Sequence, residues 1–349
     1  MSQSKRNDNE KKPLKPILII AAAAAALIAL FVCLNHVEEA SSAVKTEDYA
    51  ITEEESEATE GIVTIGGVKC KKRNNIETYL FVGIDADGKV DDMEVDADSY
   101  NRCDVIRVLV IDKTNDTYTM LPINRDTVTQ IRTYAEDGED LGLGECQIAM
   151  APTTGTEEQR VENVVEAVSL LLGGQRIDGY AMFNIDSIGL LNDLVGGVTV
   201  TIEDDFSEAD PTLVMGETIT LNKSQAETYV RGRMNVGDGE NTSRMRRQET
   251  YINGLKEKMI EKSKADEGFA WKIYNTLTDY MQTDMTGNDF SKIAKALIMN
   301  EDLGTLEIKG DFQVDELEWI EFIPDEDSLN EIIRTLYYQE VEEQTGQVS

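Results

Sequence analysis

"IETYLFVGID", residues 76–85, decides how the fold is read. Its apolar run, Tyr79 to Val82, is short and closed by Gly83 and Asp85, so it reads as a buried strand. Downstream, "DVIRVLVID" (104–112) and "TYTMLPI" (117–123) read as two further strands, joined by the polar turn "KTND". In "EEQRVENVVEAVSLLLGG" (157–174) the spacing of Val161, Val164, Val165, Val168 and Leu172 is helical, and Gly173 and Gly174 stop the helix. Strand and helix then alternate: "YAMFNI" (180–185), "DSIGLLNDLVGG" (186–197) with Asp186 as N-cap, and "VTVTIEDD" (198–205). The pattern closes with "NDFSKIAKALIMN" (288–300), "WIEFI" (319–323) and "DEDSLNEIIRTLYYQE" (325–340). This alternation predicts one large α/β domain over residues 76–340, a central mixed β-sheet flanked by helices, followed by a tail at 341–349.

Working outward, "ILIIAAAAAALIALFVCL" (17–34) carries no charge and reaches the lower end of the length that spans a bilayer. It reads as a membrane span or a signal sequence, with "ASSA" at 40–43 as the cleavage site in the second case; its length favours the span. Lysines and an arginine crowd residues 1–16, while Glu38, Glu39, Glu47 and Asp48 follow the apolar run. The expected topology is therefore single-pass, N-terminus cytoplasmic, folded domain outside. Residues 35–75, acidic and poor in large apolar side chains, read as an extracytoplasmic tether.

Composition removes several chemistries. With 67 Asp and Glu against 33 Lys and Arg, the formal charge is -34, which argues against a nucleic-acid partner. The one histidine, His36, adjoins the apolar segment, so histidine triads and histidine-ligated zinc drop out. Cys70, Cys103 and Cys146 lie outside the membrane on this topology and Cys33 within it. No CxxC spacing indicates a metal or redox site; a Cys103–Cys146 bridge stays open.

Against that acidic background, "YVRGRMNVGDGENTSRMRRQ" (229–248) holds five arginines. "LNKSQAETYV" before it reads as a helix capped by Asn222 with Gln225 as its capping-box partner, stopping near Gly232. If the chain then runs extended, Arg231 and Arg233 project to one side. The next helix has a predicted inward stripe of Met245, Gln248, Ile252, Leu255 and Met259. Arg244 borders that stripe, Arg247 lies farther round, and Arg246 points to solvent. Arg244 and Gln248 at a helix start suggest an anion site; a salt-bridged surface meeting acidic loops accounts for the same residues. A second constellation sits at strand ends: Asp85, Asp104, Arg125 and Asp126. Carboxylates gathered at one rim of a sheet can hold a magnesium ion, although Asp at a strand end also forms turns and Arg125 beside Asp126 also suits an ion pair.

Taken in order, "FVGID", "RCDVIRVLVID", "INRDT", "IDGYAMFNIDSIGLLNDLVGGVTVTIEDD", "YVRGR" and "RMRRQ" resemble the LytR-CpsA-Psr family of cell-envelope proteins over about residues 76–340. The resemblance implies a phosphotransferase that moves an anionic glycopolymer, teichoic acid or capsular polysaccharide, from an undecaprenyl-pyrophosphate carrier to peptidoglycan. Alternatives are a lipid-pyrophosphate hydrolase and a non-catalytic envelope sensor or transcriptional attenuator. It implies Mg2+ or Mn2+ on Asp85 and Asp104, and catalytic or substrate-binding roles for Arg125, Arg231, Arg233, Arg244, Arg247 and Gln248. The chain departs from the family pattern at Asn124, where proline is frequent, at Asn241, where an acid is frequent, and in "ECQIAMAPTTG", which lacks a lysine. A prenyl tail needs apolar walls, for which Val161–Leu172 and Ile188–Val195 are the candidates.

Overall fold

In the computed structural model, the described residues are 61–84, 102–135, 137–184, 186–232, 235–239, 241–266, 269–315 and 319–341. They open on a hairpin, β1 (Ile62–Ile65) and β2 (Val68–Lys72), turned through Gly66 and Gly67, which take φ of 55° and 75°. The central sheet begins with β3 (Ile76–Ile84), β4 (Cys103–Asp112) and β5 (Thr117–Ile123), each antiparallel to the last. A separate hairpin follows, β6 (Val128–Tyr134) with β7 (Asp140–Gln147), then helix α1 (Glu157–Leu171) and strand β8 (Gly179–Phe183), which pairs parallel to β3.

The second half is mostly helical: α2 (Asp186–Val195), α3 (Lys223–Arg231), α4 (Asn241–Ala265), α5 (Phe269–Leu277) and α6 (Gly287–Met299). Short strands β9 (Thr199–Thr201) and β10 (Thr218–Thr220) pair only with each other, so most of "VTVTIEDD" is loop. Strands β11 (Met281–Thr283) and β12 (Glu301–Thr305) complete a six-stranded mixed sheet, order β11-β8-β3-β4-β5-β12. Last come the hairpin β13 (Gly310–Val314) and β14 (Ile320–Pro324), helix α7 (Glu326–Tyr337) and strand β15 (Tyr338–Glu340). The α/β fold with a central mixed sheet and flanking helices is as the alternation predicts.

Side-chain alternation along the strands divides the interior in two. Leu80, Val82, Ile106, Val108, Val110 and Leu121 face α1 and α7, against Val161, Val164, Val168, Ile332 and Leu336. Tyr79, Phe81, Leu109, Ile111 and Met120 face the other way, against α2 to α6 through Ile188, Leu191, Tyr251, Leu255 and Phe290. This corrects the expected prenyl channel. Val161–Leu172 and Ile188–Val195 belong to different cores on opposite faces of the sheet, so they cannot wall one passage.

Residues 62–72, expected within the tether, are part of the fold: β2 pairs with β15, and the Arg334 guanidinium donates to the Ile65 carbonyl at 2.9 Å. The strands are short and send few side chains inward, chiefly Ile65 and Cys70, so their apolar signal is weak beside Lys69, Lys71 and Lys72. Asp186 is the first residue of α2 rather than its cap. Cys70, Cys103 and Cys146 are free thiols, so no Cys103–Cys146 bridge forms. The expected span at 17–34 and the tether up to residue 60 lie outside the described residues; among those described, no helix is long and apolar enough to cross a membrane.

Ile65, 2% exposed, tests whether the first hairpin stabilises the domain. Ile65→Ala is expected to lower unfolding free energy by about 2–5 kcal/mol in urea denaturation, the range for truncating a buried isoleucine. An unchanged midpoint would return these residues to the tether.

Candidate active site

The antiparallel step from β3 to β4 and the parallel step from β3 to β8 bring four chain segments to one rim of the sheet. Gly83 is registered with Val105 and with Phe183, and Ile106 with Ile123. Asp104 and Arg125 therefore stand side by side, and the Arg125 guanidinium donates to the Asp104 carboxylate. Their side chains remain 33% and 35% exposed, so the pair is open to a ligand from solvent. Arg125 also lies 3.4 Å from Asp126. Burial pushes the Asp126 carboxyl up, opposed by the charges of Arg125 and Arg102. Asp85, the other expected metal ligand, lies outside the described residues.

The turn that carries Arg125 is held on three sides. The Asn124 side chain accepts from the Asp126 amide at 2.9 Å, closing an Asx turn. The Arg125 carbonyl accepts from Ala149 N at 3.0 Å, and the Asp126 carbonyl from Phe322 N at 2.8 Å. Asparagine at 124 thus supplies by side-chain hydrogen bonding the local rigidity that proline supplies through its ring. On the solvent side Arg102 lies over the Trp319 ring, 5.5 Å from its centroid.

The arginine-rich stretch separates into different roles. Helix α3 has the expected reciprocal Asn222–Gln225 capping box and ends at Arg231, which is exposed; Arg233 lies outside the described residues. Helix α4 carries Arg244 in its first turn, partly buried, and turns Arg247, Gln248, Tyr251, Leu255 and Met259 inward. Tyr251 fills this stripe through a position the predicted spacing omits; the side chains of Met245 and Ile252 lie outside the described residues. Arg246 is 51% exposed and pairs with Glu203 at 3.0 Å and Asp204 at 2.9 Å.

Arg247 corrects an expectation. It is 1% exposed, and each of its three nitrogens has an acceptor in the protein: Nε the Tyr229 carbonyl at 3.2 Å, Nη2 the Gly232 carbonyl, and Nη1 the Asp204 carboxylate. Its guanidinium also lies over the Phe206 ring, 5.3 Å from the centroid. A side chain so enclosed positions the end of α3 and the Gly232 turn instead of meeting substrate. The reason is tertiary: the acidic loop before Phe206 folds against this turn of α4, which no helical spacing within 241–265 reveals. Gln248 acts beside it, with Nε2 donating to the Val230 carbonyl at 3.1 Å.

Both constellations lie at the same end of the sheet. Helix α2 begins immediately beyond the rim end of β8. The Tyr251 hydroxyl lies 3.4 Å from the Ile188 carbonyl, and a Cβ on Gly254 would lie 2.6 Å from Val198 Cγ1. Farther on, Lys262 lies over Gly196. Helix α4 therefore runs alongside α2 in the same sense, and its first turn, with Arg244, points toward the rim. Among the described residues no group of three or more His, Cys, Asp or Glu side chains is arranged to hold a metal ion.

Arg247 and Arg246 share Asp204, which allows a controlled comparison. Arg247→Ala leaves the largely buried Asp204 carboxylate with only the half-exposed Arg246, and takes the donors from the Tyr229 and Gly232 carbonyls, at an expected cost of roughly 3 kcal/mol of stability. Arg246→Ala, at an exposed pair, is expected to cost about 1 kcal/mol or less. Urea denaturation of the two variants measures the difference; equal losses would remove Arg247 from its positioning role.

A model of the LytR_cpsA_psr family matches residues 34–345. Among solved structures, protein gbs0355 from Streptococcus agalactiae is 20% identical, with a TM-score of 0.55 over 75% of this chain and 87% of that one. TagV from Bacillus subtilis is 23% identical, with a TM-score of 0.50 over 76% of this chain and 96% of that one. TagT from Bacillus subtilis, solved bound to LI-WTA, is 18% identical, with a TM-score of 0.50 over 75% of this chain and 90% of that one. At these identities the likeness is one of fold. A search of curated protein sequences finds no match. With 34–345 of its 349 residues matched, the chain belongs to the LytR_cpsA_psr family.

Proposed function

We propose that this chain is a membrane-anchored phosphotransferase that moves an anionic cell-wall glycopolymer from an undecaprenyl-pyrophosphate carrier to peptidoglycan. The observation that carries this reading is the exposed Asp104–Arg125 pair at the sheet rim, toward which the first turn of α4 points. A pyrophosphate linkage concentrates negative charge, and planar guanidinium groups neutralise it with paired hydrogen bonds that an ammonium group cannot match. Arg125, Arg231, Arg233 and Arg244 are the groups assigned to it, with Arg247 and Gln248 holding the turn between α3 and α4. The solved TagT with its wall-teichoic-acid ligand supports the class of polymer.

Asp104 is a hard, partly exposed oxygen donor that with Asp85 would hold Mg2+ or Mn2+, the Arg125 guanidinium that now pairs with it then turning to a phosphate. Such an ion would draw charge from the phosphate oxygens. In this reading Arg125 orients the linkage, and Arg231, Arg233 and Arg244 are assigned to the charge that grows on the leaving phosphate. An acceptor hydroxyl attacks the sugar-side phosphorus, the bond to the carrier phosphate breaks, and a phosphodiester remains. The donor bond is already activated, so no nucleotide is required outside the cell.

Purified protein with a lipid-pyrophosphate donor and a peptidoglycan acceptor tests the reading. Coupled product supports transfer, free phosphate-terminated glycan means hydrolysis, and binding without turnover means a sensor. Arg244→Ala is expected to lose about 2–4 kcal/mol of transition-state stabilisation in kcat/KM, the scale for one preorganised donor. Arg125→Lys is expected to lose activity although its charge is kept, whereas Arg246→Ala stays near wild type. Activity that survives chelation and Asp104→Ala would remove the metal from the proposal.

Orientation is tested separately. A reporter fused after Ser349 is expected to be cleaved by external protease in intact protoplasts, because the apolar run at 17–34 follows a basic flank. Protection of the reporter would reverse the topology.

A further inference from the structure

Against an excess of 67 Asp and Glu over 33 Lys and Arg, the stretch "KCKKR" at 69–73 holds four basic residues in five. Lys69, Lys71 and Lys72 stand on β2, the middle strand of the small sheet β1-β2-β15, and all three are exposed. Lys71 and Lys72 make no ion pair among the described residues. Cys70 is buried, so strand alternation turns Lys69 and Lys71 to the outer face, about 7 Å apart along the strand. Register puts Thr64 opposite Lys69, and Ile62 and Gln339 opposite Lys71. Glu340 is registered with Cys70 and so belongs to the other face. Among the described residues of these strands, the outer face therefore carries two ammonium groups flanked by the hydrogen-bonding Thr64 and Gln339, and no carboxylate.

The position of this sheet selects its ligand. Arg73 N donates to the Tyr337 carbonyl at 2.8 Å, and the Thr78 hydroxyl lies 3.5 Å from the Tyr337 hydroxyl, so β2 ends beside the start of β3. The rim with Asp104 and Arg125 is at the other end of β3, about 20 Å along the strand from Thr78 to Ile84. A lipid carrier presents its pyrophosphate at the bilayer surface. On the phosphotransferase reading, the rim then faces the membrane and the small sheet lies away from it, in the direction in which the polymer leads. A chain of net charge -34 repels a polyanion over most of its surface. The screening length is about 8 Å at physiological ionic strength, so a ligand on the outer face meets the lysines before the more distant acids. We propose that the outer face of β1-β2-β15 is a second binding site, which takes the repeating phosphates of the glycopolymer several units away from the linkage that reacts. This rests on the phosphotransferase reading above and adds to it a preference for long polymers. Lysine suits the task, because a flexible ammonium group holds a phosphate as a point charge and can follow a mobile chain. No bond is made or broken at this face; it retains the polymer while the rim acts.

The test uses the full chain in detergent and two polyprenyl-pyrophosphate-linked donors, one carrying a single glycerol phosphate repeat, too short to reach the sheet, and one carrying many. Lys69→Gln/Lys71→Gln is expected to raise the KM for the long donor about tenfold, the scale of two exposed charge pairs. For the single-repeat donor, kcat and KM should stay within about twofold, and thermal melting reports folding. Lys258→Gln/Lys292→Gln removes the same charge from other exposed sites and should change neither donor. An unchanged long-donor KM, equal losses with both donors, or the same loss in the control pair overturns the inference. Calorimetric titration with lipid-free poly(glycerol phosphate), beside uncharged dextran, provides a reading independent of turnover. If wild type does not transfer, the transfer reading fails and calorimetry decides. Polymer binding that falls with salt and is lost in Lys69→Gln/Lys71→Gln upholds the site; binding absent from wild type, equal in both, or matched by dextran removes it. A double variant that binds polymer normally but loses contact with phosphatidylglycerol nanodiscs would make the occupant the bilayer, which also overturns the inference.

Discussion

A guanidinium with 1% exposure is costly to bury, and the Arg247–Asp204 pair shows what makes it tolerable here. The carboxylate neutralises it, the carbonyls of Tyr229 and Gly232 accept its remaining nitrogens, and Phe206 covers its face. Phe206 in turn stacks on Tyr229 at 5.8 Å, so one side chain joins the acidic loop, the end of α3 and the first turns of α4. Removing Asp204 would leave the Arg247 charge uncompensated inside the protein, whereas Asp204 has Arg246 as a second partner. The exposed Arg231 and the partly buried Arg244 stand on the two helices that this pair fastens together.

Sheet topology sets where that assembly stands. Strand β4 is buried along nearly its whole length because helices cover both faces of the sheet, one core through Val108 and Val110, the other through Leu109 and Ile111. A sheet sealed on both faces leaves only its ends for polar chemistry. At the rim Asp104 and Arg125 remain partly open while their neighbours Cys103 and Ile123 are buried. The acidic bias of the chain then gives the arginines two fates. Those reached by the Glu203–Asp204 loop are neutralised within the protein, and Arg125 is balanced by a carboxylate that solvent still reaches.

The central strands were legible because β3, β4 and β5 are dense apolar runs bounded by polar turns, and α1 and α3 because their apolar spacing and caps are local signals. The small hairpins were not. In β7, Leu141 and Leu143 are exposed, at 61% and 45%, so no inward alternation marks "DLGLGECQ" as a strand. In β1 and β2 the strands are too short for a period to emerge, and their place is fixed by pairing with β15, far away in the chain. The two apolar stripes offered as candidate walls for a prenyl tail are core surfaces, and periodicity within a helix cannot say which face of a sheet it will cover.

By itself the sequence determined the α/β class, the central strands, the capping of α3 and the residues able to neutralise an anion, because these depend on side-chain chemistry and on spacing within a few turns. It also carried the family motifs. Only the tertiary structure decided which arginines are open and which are enclosed. Arg246 and Arg247 are adjacent and chemically identical, and one is 51% exposed while the other is 1% exposed. The difference comes from a loop more than 40 residues earlier that folds Asp204 against one side of α4, and long-range packing of that kind leaves no trace in local periodicity.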